Sequence, residues 1–133
     1  MKKFRYLFSA LALVGGFYLA WHMYSKPVED ASSGTPALSI TADELMRAYD
    51  ADENNANQSY LGKMIEVSGI VSDQSDLGTG QIFLETENPL VSIICTLSKP
   101  DASIQVGQSY DIRGFVTGYL SDVILDRAVV VKK

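Results

Sequence analysis

Residues with reactive or metal-ligating side chains are few and far apart. Cys95 is the single thiol and His22 the single imidazole. A thiol nucleophile needs a base beside it, and His22 belongs to an apolar leader well away from Cys95 in the chain. One cysteine also excludes an internal disulfide and a multi-thiolate metal centre. In "VSIICTLS" Cys95 shares an alternating face with Ile93 and Leu97, the position of a small buried hydrophobe. Asp73 and Asp76 in "SDQSD" offer hard oxygen ligands that could hold Ca²⁺ loosely, but acids in such a stretch ordinarily serve turn chemistry. There is no glycine-rich phosphate cradle and no His/Cys cluster. The expectation is a protein without catalytic activity, cofactor or metal.

Binding chemistry has more material. Phe83, Phe115 and Tyr119 could stack on planar ligands, and Arg113 and Arg127 could add positive charge, the combination used by single-strand nucleic-acid binders. These five residues are the candidate ligand-binding set. Each also has a structural alternative. Phe83 and Phe115 would pack under a helix or cap a barrel end. The two arginines would pair with acids across strands, at about 0.2–1 kcal/mol per pair.

Charge weighs against phosphate. The chain carries a net −5. From Pro27 onward, however, seven Lys/Arg face all 16 Asp/Glu, a net of −9. Such a domain repels a phosphate backbone at long range, whereas nucleic-acid binders carry a basic patch. Asp73, Asp76 and Asp122 sit in or beside the connecting loops. An envelope protein or an oligosaccharide is therefore the preferred partner, with nucleic acid or a nucleotide the alternative.

The elements that must position these residues follow from periodicity. After Lys2, Lys3 and Arg5, the chain lacks Asp, Glu, Lys and Arg from Tyr6 to Tyr24. At about 1.5 Å per residue such a helix just covers a hydrocarbon core of about 30 Å. Its end, Trp21-His22-Met23-Tyr24, is too bulky for a signal-peptidase site and suits an interfacial aromatic belt. A retained transmembrane helix is expected, in contact with the lipid bilayer. The flanking charges put the N-terminus in the cytoplasm and the acidic domain outside it, and His22 is placed in the hydrated interface.

Residues 25–39, "SKPVEDASSGTPALS", read as a flexible tether. Thr41 and Glu44 then form a capping box, with Ile40 and Leu45 as its hydrophobic staple. One acidic helix follows, carrying Leu45, Tyr49 and Ala56 on its apolar face, before "NNANQS" weakens helix propensity and Gly62 closes the connection. From Lys63 the period is two. "KMIEVSGIVSD", "GQIFLETE", "VSIICTLS", "GQSYDIRGFVTG" and "VILDRAVVV" make five strands, with Gly69 marking a bulge or bend. Five short strands led by a helix favour a closed barrel, because closure removes exposed edges.

The order of "TADEL", "YLGKMIEVSGIV", "IICTL", "VGQSYDIRGFVTG" and "DVILDRAVVV" resembles the bacterial exported OB-fold proteins grouped as tRNA-anticodon-like domains. The resemblance covers residues 38–131 and implies a mainly β fold: a five-stranded OB-fold barrel preceded by an N-terminal α-helix, plus the N-terminal transmembrane helix. It also implies a ligand face around the second and third barrel strands. Lipoprotein members acylate a cysteine that this leader lacks. The expected organisation is an anchor over 1–25, a linker over 26–38 and the OB-fold domain over 39–133. An alkaline carbonate wash should leave the full-length protein with the membrane pellet; its release intact would refute the anchor.

Overall fold

The computed structural model describes residues 2–25, 31–75 and 80–132. The leader forms helix α1, Lys2–Tyr24. Among the described residues no helix is long and apolar enough to cross a membrane. This corrects the expected transmembrane span. The helix is there, but Gly15, Gly16, Tyr18, Trp21, His22 and Tyr24 dilute its apolar run.

The next elements are β1 (Ser39–Thr41), α2 (Ala42–Ala51) and α3 (Glu53–Tyr60). The capping box forms as the spacing predicts. The Glu44 amide donates to Thr41 Oγ1 and the Thr41 amide donates to Glu44 Oε2, each at 3.2 Å. The single expected helix is instead two. Asp52, extended at φ −161°, ends α2 and caps α3 by accepting from the Asn55 amide at 3.1 Å. Side-chain capping thus restores helix to "NNANQS" despite its low propensity.

Five strands follow: β2 (Met64–Ser75), β3 (Gln81–Glu85), β4 (Ser92–Leu97), β5 (Ser109–Leu120) and β6 (Asp122–Lys132). They pair in the order β2-β3-β4-β6-β5 and close through β2–β5. All contacts are antiparallel except β4–β6, which is parallel. This is the five-stranded closed barrel with a leading helix that the strand pattern predicts. The short β1 lies parallel to β2, in register at Ile40 and Val67; three residues are too few to show a period.

The inward set is apolar throughout. Ile65, Val67, Val71, Leu84, Ile93, Cys95, Ile112, Val116, Val123 and Leu125 are fully buried, and Leu45, Met46 and Tyr49 of α2 join the same cluster. Each strand alternates buried with partly exposed positions, so the outer face inherits every second residue.

The predicted tether covers 26–38, of which 26–30 lie outside the described residues. Its second part runs along the barrel wall. The Ala31 amide donates to the Arg127 carbonyl at 3.1 Å, the Ala37 amide to that of Met64 at 2.8 Å, and the Glu66 amide to that of Leu38 at 3.0 Å.

Removing the Leu125 side chain should leave a cavity in the barrel centre. Leu125→Ala is expected to cost about 2–5 kcal/mol, read as a lower urea midpoint at unchanged slope.

Candidate binding face

The outward residues of β2, β3, β4 and β6 form one surface. Asp73 pairs with Phe83, Phe83 with Ile94, Ile94 with Ile124, and Ile124 with Gly118 on β5. Side chains at paired positions point to the same side of a sheet, so these residues make a row across the strands. Phe83, Ile94 and Ile124 are each half-buried. A bulge between Val71 and Asp73 lets both face correctly: Val71 stays in the core while Asp73 turns outward beside Phe83.

At one end of the row the 86–91 loop folds over to make a shallow cleft of about 420 Å³. Its lining includes Ser72, Asp73, Phe83, Glu85, Leu90 and Asp122 and, among the described residues, no Lys or Arg. The loop is held by its own polar groups. The Thr86 hydroxyl lies 2.9 Å from the carbonyls of Asn88 and Val91, and the Leu90 amide donates to Asn88 Oδ1 at 3.0 Å. Leu90 is thereby presented to solvent at 89% exposure. Asp122 closes the rim, accepting from the Ser92 amide at 2.7 Å through Oδ1.

The five candidates do not form one site. Phe83 lies on the face just described. Arg113 and Phe115 project from β5 on another side of the barrel. Arg113 pairs with Glu66 of β2 at 3.1 Å, as the cross-strand reading predicts, and reaches the Gly34 carbonyl at 3.3 Å. Phe115 is half-buried on the outward side of β5. Its ring receives the Arg127 guanidinium at 4.0 Å, a cation–π contact across β5–β6. Arg127 sits at a β6 bulge with φ +50°, which re-aims its side chain.

Tyr119 turns towards the helices. It stacks on Tyr49 with centroids 4.8 Å apart and donates to Asp50 Oδ1 at 3.1 Å. Burial, then the Asp50 bond, holds its phenol above the ordinary tyrosine range. Tyr119 is therefore committed to packing.

Sequence reasoning passed over Ile94, Ile124, Leu90 and Glu85. A signal for the isoleucines was present: in "SIICTL" and "DVILD" each sits among polar residues on the outward phase of its strand. Leu90 had no periodic signal, because a loop has no period.

Cys95 is fully buried, and desolvation pushes its thiol far up. Among the described residues no group of three or more His, Cys, Asp or Glu could hold a metal ion; Asp76 lies outside them.

The model of the tRNA_anti-like family matches residues 3–130. The chain belongs to the tRNA_anti-like family. Among solved structures, it is similar to a lipoprotein of Klebsiella pneumoniae subsp. pneumoniae MGH 78578 whose name assigns it nucleic-acid binding. The TM-score is 0.50 at 17% identity, over 71% of this chain and 92% of that one. The telomere capping protein Ten1 from Saccharomyces pombe gives 0.47 at 19%, covering 74% and 81% of the two chains. A chain of the S. pombe Stn1–Ten1 complex gives 0.48 at 18%, covering 77% and 80%. At such identities the likeness is one of fold. No match to a curated protein is found.

For this family member, a thiol reagent such as Ellman's should leave Cys95 unmodified in the native state and react once denaturant unfolds the barrel. Rapid modification of native protein would contradict the burial.

Proposed function

We propose that this chain is a membrane-held, extracytoplasmic binding module without catalytic activity, meeting an envelope protein or an oligosaccharide on its Phe83 face. The observation that carries the reading is the sign of that face. Its cleft is rimmed by Asp73, Glu85 and Asp122 and, among the described residues, lined by no cation. A phosphate polymer entering it would meet repulsion in place of the counterion release that drives such binding.

The leader supports the membrane part of the proposal. Leu11, Leu13, Val14, Phe17, Leu19 and Trp21 are all exposed, so α1 presents apolar surface around its circumference. A surface of that kind is stable in contact with acyl chains or the headgroup boundary. Lys2, Lys3 and Arg5 precede it and add attraction to anionic headgroups.

One observation favours the nucleic-acid reading: Phe115, Arg127 and Arg113 gather aromatic and positive groups on the β5 side, and a structural relative bears a nucleic-acid-binding name. Against it, Arg113 is already held by Glu66 and Gly34, and Arg127 is stacked on Phe115.

Titration of the full-length protein with a labelled single-stranded oligonucleotide separates the two. At physiological salt the expected result is no saturable binding below about 100 µM, the weak edge of non-specific affinity. A dissociation constant of about 1 µM that weakens steeply with salt would install the nucleic-acid reading instead.

A further inference from the structure

Resting on the reading that α1 holds this chain at a membrane, we propose that the barrel itself touches that bilayer, inserting Leu90 and Leu120 into the headgroup boundary. Among the described residues these are the most exposed large hydrophobics of the barrel, at 89% and 82%; the next, Val106, is at 55%. They also stand at the same end. β4 and β6 are parallel neighbours with Ile93 opposite Val123, and Leu90 and Leu120 each precede that pair by three positions. The chain therefore enters both strands from one end of the barrel, with a leucine at each entrance.

Both leucines are carried on braced backbone. The hydrogen bonds of Thr86 and Asn88 fix the 86–91 loop. Asp122 Oδ1 accepts from the Ser92 amide at 2.7 Å and from its hydroxyl at 3.3 Å, which ties the start of β4 to the start of β6. A single residue, Ser121, separates β5 from β6, and its φ of +69° turns the chain back at once, with Leu120 paired to Asp122 across the turn. Insertion therefore has no loop-ordering cost to overcome. The two tips are also uncharged: 88–91 and 118–121 contain no Asp, Glu, Lys or Arg.

Chain length keeps the barrel close to whatever holds α1. Tyr24 ends that helix, and Ala31 is docked on the barrel, its amide donating to the Arg127 carbonyl. The seven residue steps between them span at most about 25 Å. Arg127 lies five residues along β6 from Asp122, roughly 16 Å at about 3.3 Å per residue. The leucine end is thus within reach of the surface that holds α1. The opposite end, where β6 finishes at Lys132, is as near, and apolar exposure decides between them. There β4 leads to β5 through 98–108, and Val106 is the most exposed large hydrophobic among the described residues. Lys99 on that end would add attraction to headgroups but no apolar side chain to insert.

A lipid boundary accepts separate aliphatic tips without shape complementarity, whereas a protein partner needs a contiguous, closely packed patch. With α1 already in the bilayer, insertion of the tips is an intramolecular addition to an existing contact, so two leucines suffice to orient the barrel. The Phe83–Ile94–Ile124 row lies on the barrel wall and stays free for a partner in that orientation.

The test places the full-length protein on vesicles of phosphatidylcholine with a minor share of phosphatidylglycerol, with and without a nitroxide-labelled lipid that quenches at the headgroup boundary. An environment-sensitive fluorophore is attached through Leu90→Cys, Leu120→Cys or, at the opposite end, Val106→Cys; the native Cys95 is buried and stays unlabelled. Trp21, the single tryptophan, reports on α1 independently. The expected result is quenching and blue-shifted emission at positions 90 and 120, none at 106, and a quenched Trp21. In the unlabelled protein, Leu90→Ser combined with Leu120→Ser should weaken vesicle partitioning by about tenfold. A quenched Trp21 with probes at 90 and 120 that remain in water, with quenching at 106 instead, or with partitioning unchanged by the double substitution overturns the leucine contact and leaves the membrane reading standing. An unquenched Trp21 removes the membrane reading and the leucine contact with it.

Discussion

The architecture depends on one strand serving two partners. β2 pairs with β5 from Met64 to Ile70 and with β3 from Val71 to Ser75, so it must turn sharply between the two sheets it joins. Gly69 sits at that corner, where a Cβ would approach the Ala42 Cβ to 3.1 Å and that of Leu84 to 3.3 Å. The missing side chain lets the start of α2 rest directly on the bend. Closure follows from β2 reaching both β3 and β5, and closure leaves no long free edge in the barrel.

Closure also assigns every side chain to an inside or an outside. Among the described residues the inside is apolar, with Cys95 one of its small members, and no charged residue is buried. Where a bulge inserts a residue the phase shifts, and two of the bulges matter for the surface. One turns Asp73 outward next to Phe83; the other, at Arg127, points a guanidinium onto Phe115. Two outer faces of opposite character result. The β5 side has the cations, but residues 31–38 run beside it and take hydrogen bonds from or to Arg113, Arg127 and Met64. The Phe83 side has the carboxylates and an uncovered aliphatic row.

Electrostatics acts on these faces separately. A net charge describes long-range encounter, whereas a ligand at the surface meets the particular groups of one cleft. In this domain the two agree on the Phe83 side, where acidic excess and local rim have the same sign. They disagree on the β5 side, where arginines are present yet already engaged by a carboxylate, a carbonyl or a ring. The tyrosine trio Tyr49, Tyr60 and Tyr119 shows the same economy of aromatics: they stack with one another to seat the helices on the barrel, and Tyr119 is lost to ligands.

The sequence by itself determined the inward set, the five strands, the capping box at Thr41 and the bend at Gly69, because each is written in a local period or a local steric need. Alternation settles which face of a strand is buried, and the Thr41–Glu44 spacing settles where a helix starts. It could not place Phe83 and Phe115 on different sides of the barrel, nor bring Ile94 and Ile124 into one row with Phe83. Those relations depend on which strands become neighbours and in what register, and register is decided by closure and bulges over long sequence distances. The break at Asp52 and the docking of residues 31–38 were hidden for the same reason: single side-chain and main-chain hydrogen bonds, formed only once the folded surface exists, outweighed the local preference for continuous helix and free coil.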